Sequence, residues 1–332
     1  MNFWNRLPRP FFVLAPMANV TDSVFRSLFA KYGKPDVIWT EFVSADGLCS
    51  LGKARLLPDL KYSAKERPIV AQLFTGHPEA MRGAAALAKK LKFDGLDINM
   101  GCPDRSVEKQ GGGAAMIKDP SSALDVLAAA RKGFDGPVSV KTRIGYNKID
   151  MDWIKLLLAQ KLPALTVHLR TRKEMSDVPA HWDLMPAIIE MRDEIQADLK
   201  PNERTLIIGN GDVSSLGDAL AKTKKYGCDG IMIGRGIFGA PWFFENIRKK
   251  NVDADAKTPE ERLKILIEHS KMFEKAFCGK GGKRGHKSFA VMKKHFKAYV
   301  SGWDGAKELR AKLMETNNYK EVKKVVDGYL KK

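Results

Sequence analysis

The stretch Asp97-Ile98-Asn99-Met100-Gly101-Cys102-Pro103 ends an apolar run in a turn that presents one thiol. The run stops at Gly101, and Pro103 cannot donate to a ladder, so Cys102 is placed just past a strand end. Catalytic groups of α/β enzymes collect at that edge. A small buried cysteine is the competing assignment. No histidine adjoins Cys102 in the sequence, and an unperturbed thiol, with a pKa of about 8.5, stays mostly protonated at neutral pH. Cys102 is therefore read as a general acid rather than a nucleophile.

Other strand ends carry polar groups of complementary kinds. Lys141 and Arg143 share a face at period two, and a lysine emerging from an apolar strand needs an anionic partner or a neighbour that accepts from it. A flavin, whose N1 and O2 region becomes negative on reduction, meets that need; a Schiff-base lysine is the alternative. Gln72 can donate and accept at once, as an amide-edged ring requires. His168 is either a satisfied core histidine or a ligand contact. Gly209-Asn210-Gly211-Asp212 and Gly234-Arg235-Gly236-Ile237-Phe238-Gly239 are glycine-rich turns after strands. The second matches G-x-G-x-x-G but lacks the following strand and acidic residue of a dinucleotide site. Both remain candidates to cradle a phosphate on exposed N–H groups, the second before a helix expected to open near Pro241; two plain turns are the alternative. Cys49, Cys102, Cys228 and Cys278 lie far apart with no C-x-x-C pair, which argues against a metal site and a disulfide framework and suits a reducing cytoplasm.

These groups are positioned by eight apolar runs, each followed by a helical pattern: Phe11 to Ala15, Asp36 to Phe42, Ile69 to Phe74, Gly95 to Met100, Val138 to Arg143, Ala164 to Leu169, Leu206 to Asn210 and Gly230 to Gly234. Such alternation reads as an α/β fold of parallel strands with crossover helices, and eight is the number that closes a (β/α)8 TIM barrel. Almost every run ends in a hydrogen-bonding or reactive group: Glu41, Gln72, Asn99 with Cys102, Lys141 with Arg143, His168 with Arg170, Asn210 and Arg235. A closed barrel gathers those ends on one face, whereas a doubly wound sheet, the alternative, disperses them along a row. Asp119-Pro120, and Thr21-Asp22 before Val24, Phe25, Leu28 and Phe29, are helix starts. After Arg248 the pattern changes. Residues 249–257 read as a linker, and Thr258-Pro259-Glu260-Glu261 is a capping box opening a C-terminal all-α helical-bundle domain over 258–332. Its further helices are expected near His286 to Val300, Ala306 to Glu315 and Tyr319 to Leu330.

The chain has 332 residues and a formal net charge of +18, from 57 Lys and Arg against 39 Asp and Glu. A polyanionic partner accounts for such an excess, with a lysine-rich proteome as the alternative. The excess is uneven: residues 251 to 332 hold 20 basic and 11 acidic residues. Lys275 to Trp303 contains no acidic residue and eight basic ones, Lys287 and Lys294 among them, interleaved with Phe289, Phe296, Tyr299 and Trp303. The aromatics are read as core and the cations as a phosphate-binding footprint. Phe11 to Ala15 is too short for a signal-peptide core or a membrane span, so a soluble cytoplasmic protein without membrane association is expected.

With these residues in place, the chain resembles the tRNA dihydrouridine synthases over essentially its whole length, closest in pattern to the bacterial B-type enzymes. The resemblance rests on Ala15-Pro16-Met17-Ala18, Gln72, Asp97 to Pro103, Lys141-Thr142-Arg143-Ile144-Gly145, His168-Leu169-Arg170-Thr171-Arg172, Gly209 to Asp212 and Gly234-Arg235, in that order. Lys294-His295-Phe296 and Tyr299 extend it into the tail. It implies a flavoprotein in which residues 1–248 form an FMN-binding catalytic barrel and 258–332 a tRNA-binding domain, with NADPH as reductant. It assigns FMN to Pro16, Met17, Ala18, Gln72, Lys141, His168, Asn210, Gly211, Asp212, Gly234 and Arg235. Cys102 becomes the proton donor to C5 of a uridine whose C6 takes hydride from reduced FMN. Asn99, Arg143, Arg170 and Arg172 are expected to hold the base and nearby nucleotides, and Lys287 and Lys294 the tRNA backbone. No metal and no protein partner is implied, and a monomer is expected. Leu169, Gly112 to Met116 and Glu174 to Trp182 depart from the family pattern.

Two other functions fit parts of the sequence. An FMN barrel acting on a free pyrimidine, like dihydroorotate dehydrogenase, shares the chemistry but has no use for the basic tail. A non-catalytic RNA-binding barrel protein would need the tail alone, and would be colourless when purified.

Overall fold

The computed structural model describes residues 2–247, 249, 257–279 and 285–331. Eight parallel strands close in chain order, with β1 pairing β8. They are β1 Phe11–Leu14, β2 Val37–Ser44, β3 Ile69–Phe74, β4 Gly95–Met100, β5 Val138–Arg143, β6 Ala164–His168, β7 Leu206–Asn210 and β8 Gly230–Ile233. Closure rules out the doubly wound alternative. Four strands have the bounds read from the sequence, because continuous β-branched and apolar runs buried on both faces leave little latitude at their ends.

Each strand buries its period-two faces differently. Outward residues such as Leu96, Ile98, Val140 and Val167 pack under the helices, while Phe11, Val13, Val37, Trp39, Val70 and Ile208 fill the barrel. Trp4 plugs its N-terminal end, with its ring 6.0 Å from Phe11 and 5.7 Å from Trp39. Full burial of each such side chain contributes about 2–3 kcal/mol. The bottom of the barrel is therefore packed, and the polar ends of the strands open at the top.

The helix starts behave as their caps dictate. Asp22 accepts from the Val24 and Phe25 amides to open Ser23–Tyr32, and Asp119 caps Pro120–Gly133 with proline in the first turn. The helix expected near Pro241 does not form. A 3-10 turn, Arg235–Ile237, is followed by successive bonds from Ala240 to Ile237, Phe243 to Ala240 and Glu245 to Trp242. Gly239, at φ +63°, sits in the left-handed region within this run of turns.

The C-terminal part is helical: Pro259–Phe277, opened by the Thr258/Glu261 capping box, then Lys293–Tyr299, Ala306–Met314 and Tyr319–Leu330. The stretch expected to be helical from His286 is shorter because Ser288 caps a 3-10 turn, Phe289–Met292, first. Leu263, Leu266, Phe273, Phe296, Tyr299, Leu313 and Val326 form a separate core, which Val24 of the barrel joins. Phe25 stacks on His269 at 5.0 Å across the same junction. Of the expected linker 249–257, all but residues 249 and 257 lie outside the described residues. Among the described residues no helix is long and apolar enough to cross a membrane.

Candidate active site

Strand register brings the polar ends into one ring. Gln72 pairs with Asp97, Asn99 with Lys141, Arg143 with His168, His168 with Asn210 and Asn210 with Met232. All of them except the fully buried Asp97 line a cavity of about 790 Å³ at the C-terminal face, within the usual size range of cofactor and ligand sites. Pro16, Met17, Ala18, Gln72, Lys141, His168, Asn210, Gly211, Asp212, Gly234 and Arg235 all face it, as do Asn99, Cys102, Arg143 and Arg170.

One side of the cavity is a hydrogen-bonded chain that ends at the thiol. The Ser139 hydroxyl and Gln72 Nε2 both donate to Asp97, at 2.5 and 2.7 Å. Gln72 Oε1 accepts from Asn99 Nδ2 at 3.1 Å. Asn99 Oδ1 then accepts from the Gly101 and Cys102 amides at 3.1 and 2.9 Å, which fixes the turn carrying the thiol. Ala114 N donates to the Cys102 carbonyl at 2.9 Å. Gly113 sits at φ +60°, where a Cβ would lie 2.6 Å from that same oxygen. Only glycine allows the approach. Burial pushes the Cys102 thiol above its ordinary pKa, and the nearby Lys141 and Arg143 charges do not reverse this. A protonated thiol facing a cavity is a proton source. Asp97, wholly buried, is raised by that burial to about 6.

The adjoining strand ends, from β5 onward, are cationic. Burial, and then the Arg143 charge, lower Lys141 to about 8; among the described residues its ammonium has no hydrogen-bond or ion-pair partner. His168 is held well below its ordinary pKa by burial and by Lys141, Arg143, Arg170 and Arg235, so its imidazole is neutral at physiological pH. Arg170, with its side chain 3% exposed, pairs with Asp212, which also binds Arg235 at 2.9 Å. Burial alone would raise the Asp212 carboxyl, but the Arg170 hydrogen bond and the Arg235 charge hold it low. Asp212 and Gly211 adopt left-handed φ values of 46° and 131°, turning the β7 end across the cavity mouth beside the Arg235–Ile237 turn. This pair of turns, with Arg235 between them, could hold the phosphate of a cofactor.

Three expectations change. Arg172 does not reach the cavity; it pairs with Glu108 at 2.7 Å and lies over Tyr146. Lys287 is not free for phosphate, because its side chain is 8% exposed and its ammonium is 2.7 Å from Glu41. Glu41 itself does not converge on the site, since a bulge between Trp39 and Phe42 shifts the register of β2. The bulge turns Phe42 into the cavity in its place. Arg143 faces the cavity, yet its Nε donates to the Gly101 carbonyl at 2.9 Å and its Nη1 to Thr171 at 2.8 Å, so it also holds the thiol turn. Lys294 is exposed on the helical part, and Phe289, Phe296 and Tyr299 are buried as core. Lys280, Lys283 and Arg284 of the basic footprint lie outside the described residues.

Asp97, Phe42, Met175 and Ser176 also belong to the site or its support and were given no role from the sequence. Asp97 was findable, being two residues before Asn99 on the same face. Met175 and Ser176 come from a loop without periodicity, so no local signal places them. Among the described residues no group of three or more His, Cys, Asp or Glu could hold a metal ion.

Residues 13–332 match the family Dihydrouridine synthase (Dus). A "Probable tRNA-dihydrouridine synthase" of Staphylococcus aureus (strain COL) is 41% identical over 331 residues, covering 99% of this chain and 95% of the relative. "Probable tRNA-dihydrouridine synthase 2" of Bacillus subtilis (strain 168) is 40% identical over 334 residues, covering 100% and 97%. A match that takes in the barrel, the thiol turn and the helical part at once leaves one assignment: the chain belongs to the dihydrouridine synthase family.

Proposed function

We propose that this chain is a tRNA-dihydrouridine synthase that reduces the C5=C6 bond of a uridine in tRNA, using FMN and NADPH. The observation that carries the reading is the presence in one cavity, on neighbouring strand ends, of a protonated Cys102 thiol and the unpartnered Lys141 ammonium. The residues present fit a flavin mononucleotide: a half-buried cation without a partner, an apolar wall at Pro16, Met17 and Ala18, and two glycine turns with Arg235 at the far end. Lys141, Gln72 and His168 would hold its ring, and Asn210, Gly211, Asp212, Gly234 and Arg235 its ribityl phosphate. When bound and reduced by NADPH, FMN supplies the hydride that goes to C6.

Everything else in the reaction falls to side chains. Uracil is polarised by its conjugated carbonyl, so C5 takes up a proton as C6 is reduced. Cys102 holds that proton at its sulfur, and Asn99 and Arg143 hold the turn that aims it. Phe42 and Met175 add apolar surface to the cavity wall. Uracil must leave its stack to enter, which requires a footprint on the surrounding RNA. The exposed Lys275, Lys294 and Lys297 of the helical part supply it, residues 1–248 acting as the catalytic domain and 258–332 as the RNA-binding domain. The test is the visible spectrum of the purified protein, its bleaching by NADPH, and nucleoside mass spectrometry of tRNA after incubation. A colourless protein that forms no dihydrouridine would refute the assignment.

A further inference from the structure

At the end of β2 the bulged pair Thr40-Glu41 sends one carboxylate away from the cavity and into the junction with the helical part. Glu41 is buried at 4% exposure and has two partners from different places. Its Oε1 accepts from the amide of Asn19, the residue after the cavity wall Pro16-Met17-Ala18, and its Oε2 takes the Lys287 ammonium at 2.7 Å. Lys287 also lies 3.5 Å from Asp59, which His286 contacts at 3.0 Å. Asn19 stands at φ 55°, a conformation that asparagine tolerates when its amide is held. Asp22, three residues on, is buried with one carboxylate oxygen unpartnered, and its pKa is raised by burial and by Glu41. Lys287 is thus the cation set among Glu41, Asp59 and Asp22. Burial would lower its pKa, but Glu41 and the other carboxylates keep it above the ordinary value.

We propose that Lys287 is a positioning residue: through Glu41 it ties the helical part to the Met17–Asn19 wall and to Phe42, so that docking of the helices sets the shape of the cofactor cavity. This rests on the flavin reading above only for its functional consequence; the mechanical link stands on the contacts themselves. Loss of the ammonium leaves Glu41 buried beside Asp22 without its counter-charge, and the amide of Asn19 loses a fixed acceptor. The coupling runs both ways, so RNA that repositions the helices acts on the cavity wall as well.

The experiment compares full-length wild type with Lys287→Met, Glu41→Gln, the double variant and the conservative Lys287→Arg. Amide hydrogen exchange of residues 17–21 is expected to quicken at least tenfold in Lys287→Met and in Glu41→Gln, to be no faster in the double variant, and to return toward wild type in Lys287→Arg. FMN affinity is expected to fall about tenfold in Lys287→Met, while the salt slope of RNA binding stays unchanged. Unchanged exchange at 17–21 in Lys287→Met, with a salt slope of RNA binding lower by about one, would make Lys287 a phosphate contact and overturn the proposal. Additive effects in the double variant would overturn it as well. Wild-type protein that bound no flavin would contradict the functional reading and leave the exchange result to decide the coupling. Should Lys287→Met fail to fold, Lys287→Gln at the same site carries the same comparison.

Discussion

Lys141→Met removes one charge from the cavity and keeps the stem of the side chain. Burial and Arg143 place the Lys141 pKa at about 8 against an ordinary 10.5. That displacement corresponds to about 3 kcal/mol lost by the ligand-free fold whenever the lysine is charged. Below pH 8 the folded and unfolded chains both carry the proton, and the whole cost is present. Between about 8 and 10.5 only the unfolded chain binds it, so stability rises with pH, and above 10.5 the cost is gone. Contact of the ammonium with solvent in the open cavity reduces the usable part to about 1–2 kcal/mol. Ligand-free Lys141→Met is therefore expected to melt about 1–3 °C above wild type at pH 7, with the gap narrowing toward pH 10. With saturating FMN the order should reverse, because an anionic group in the cavity supplies the missing partner in wild type alone. Differential scanning fluorimetry of both proteins, with and without FMN at pH 7 and 9.5, reads all four values. A ligand-free variant less stable than wild type at pH 7, or an FMN-induced rise equal in both, would refute the reasoning.

Asn99→Ala leaves the Gly101 and Cys102 amides without their acceptor, and dihydrouridine formation should fall more than about tenfold in single-turnover assays, with flavin reduction by NADPH retained. Gly113→Ala forces a Cβ to within 2.6 Å of the Cys102 carbonyl at φ +60°; a loss of about 2 kcal/mol in denaturant titration and a displaced thiol turn are expected. His295 is buried in the helical core, and burial lowers its pKa to about 3 from 6.5. Stability is then lost as pH falls from 6.5 toward 3, and His295→Phe should flatten the acid limb of the melting curve over that range. Replacing Lys275, Lys294 and Lys297 with Ser should weaken tRNA binding and lower its salt slope by about two in filter binding, without changing FMN affinity.

The barrel was legible because its information is local. Eight apolar runs of strand length, separated by capped helices, leave few topologies, and the glycine and polar residues that end those runs mark the open face. The site was legible where period two holds to a strand end, as at Asn99 and from Lys141 to Arg143, and where a turn follows, as at Cys102. It was not legible at Glu41, because a single extra residue in β2 exchanges the directions of Glu41 and Phe42, and a bulge leaves no mark in the alternation. The Glu41 pairing of Lys287 was hidden for a related reason: a lysine in a basic run has the same sequence signature whether it meets phosphate or a carboxylate from another part of the chain. Only the fold brings residue 287 to residue 41. Pro241 fits a first helical position, yet the segment after it closes in short turns such as Phe243 N to the Ala240 carbonyl.

In the proposed reaction the thiol of Cys102 delivers the proton that completes reduction of a uridine in RNA. The direct measurement is a single turnover. Wild type and Cys102→Ala, each loaded with FMN and reduced by NADPH without oxygen, are mixed with unmodified tRNA, and dihydrouridine is followed by nucleoside mass spectrometry. Both proteins are expected to bind and reduce flavin alike, with product forming rapidly in wild type and more than about 100-fold slower in the variant. Dihydrouridine appearing at the same rate in Cys102→Ala would contradict the account.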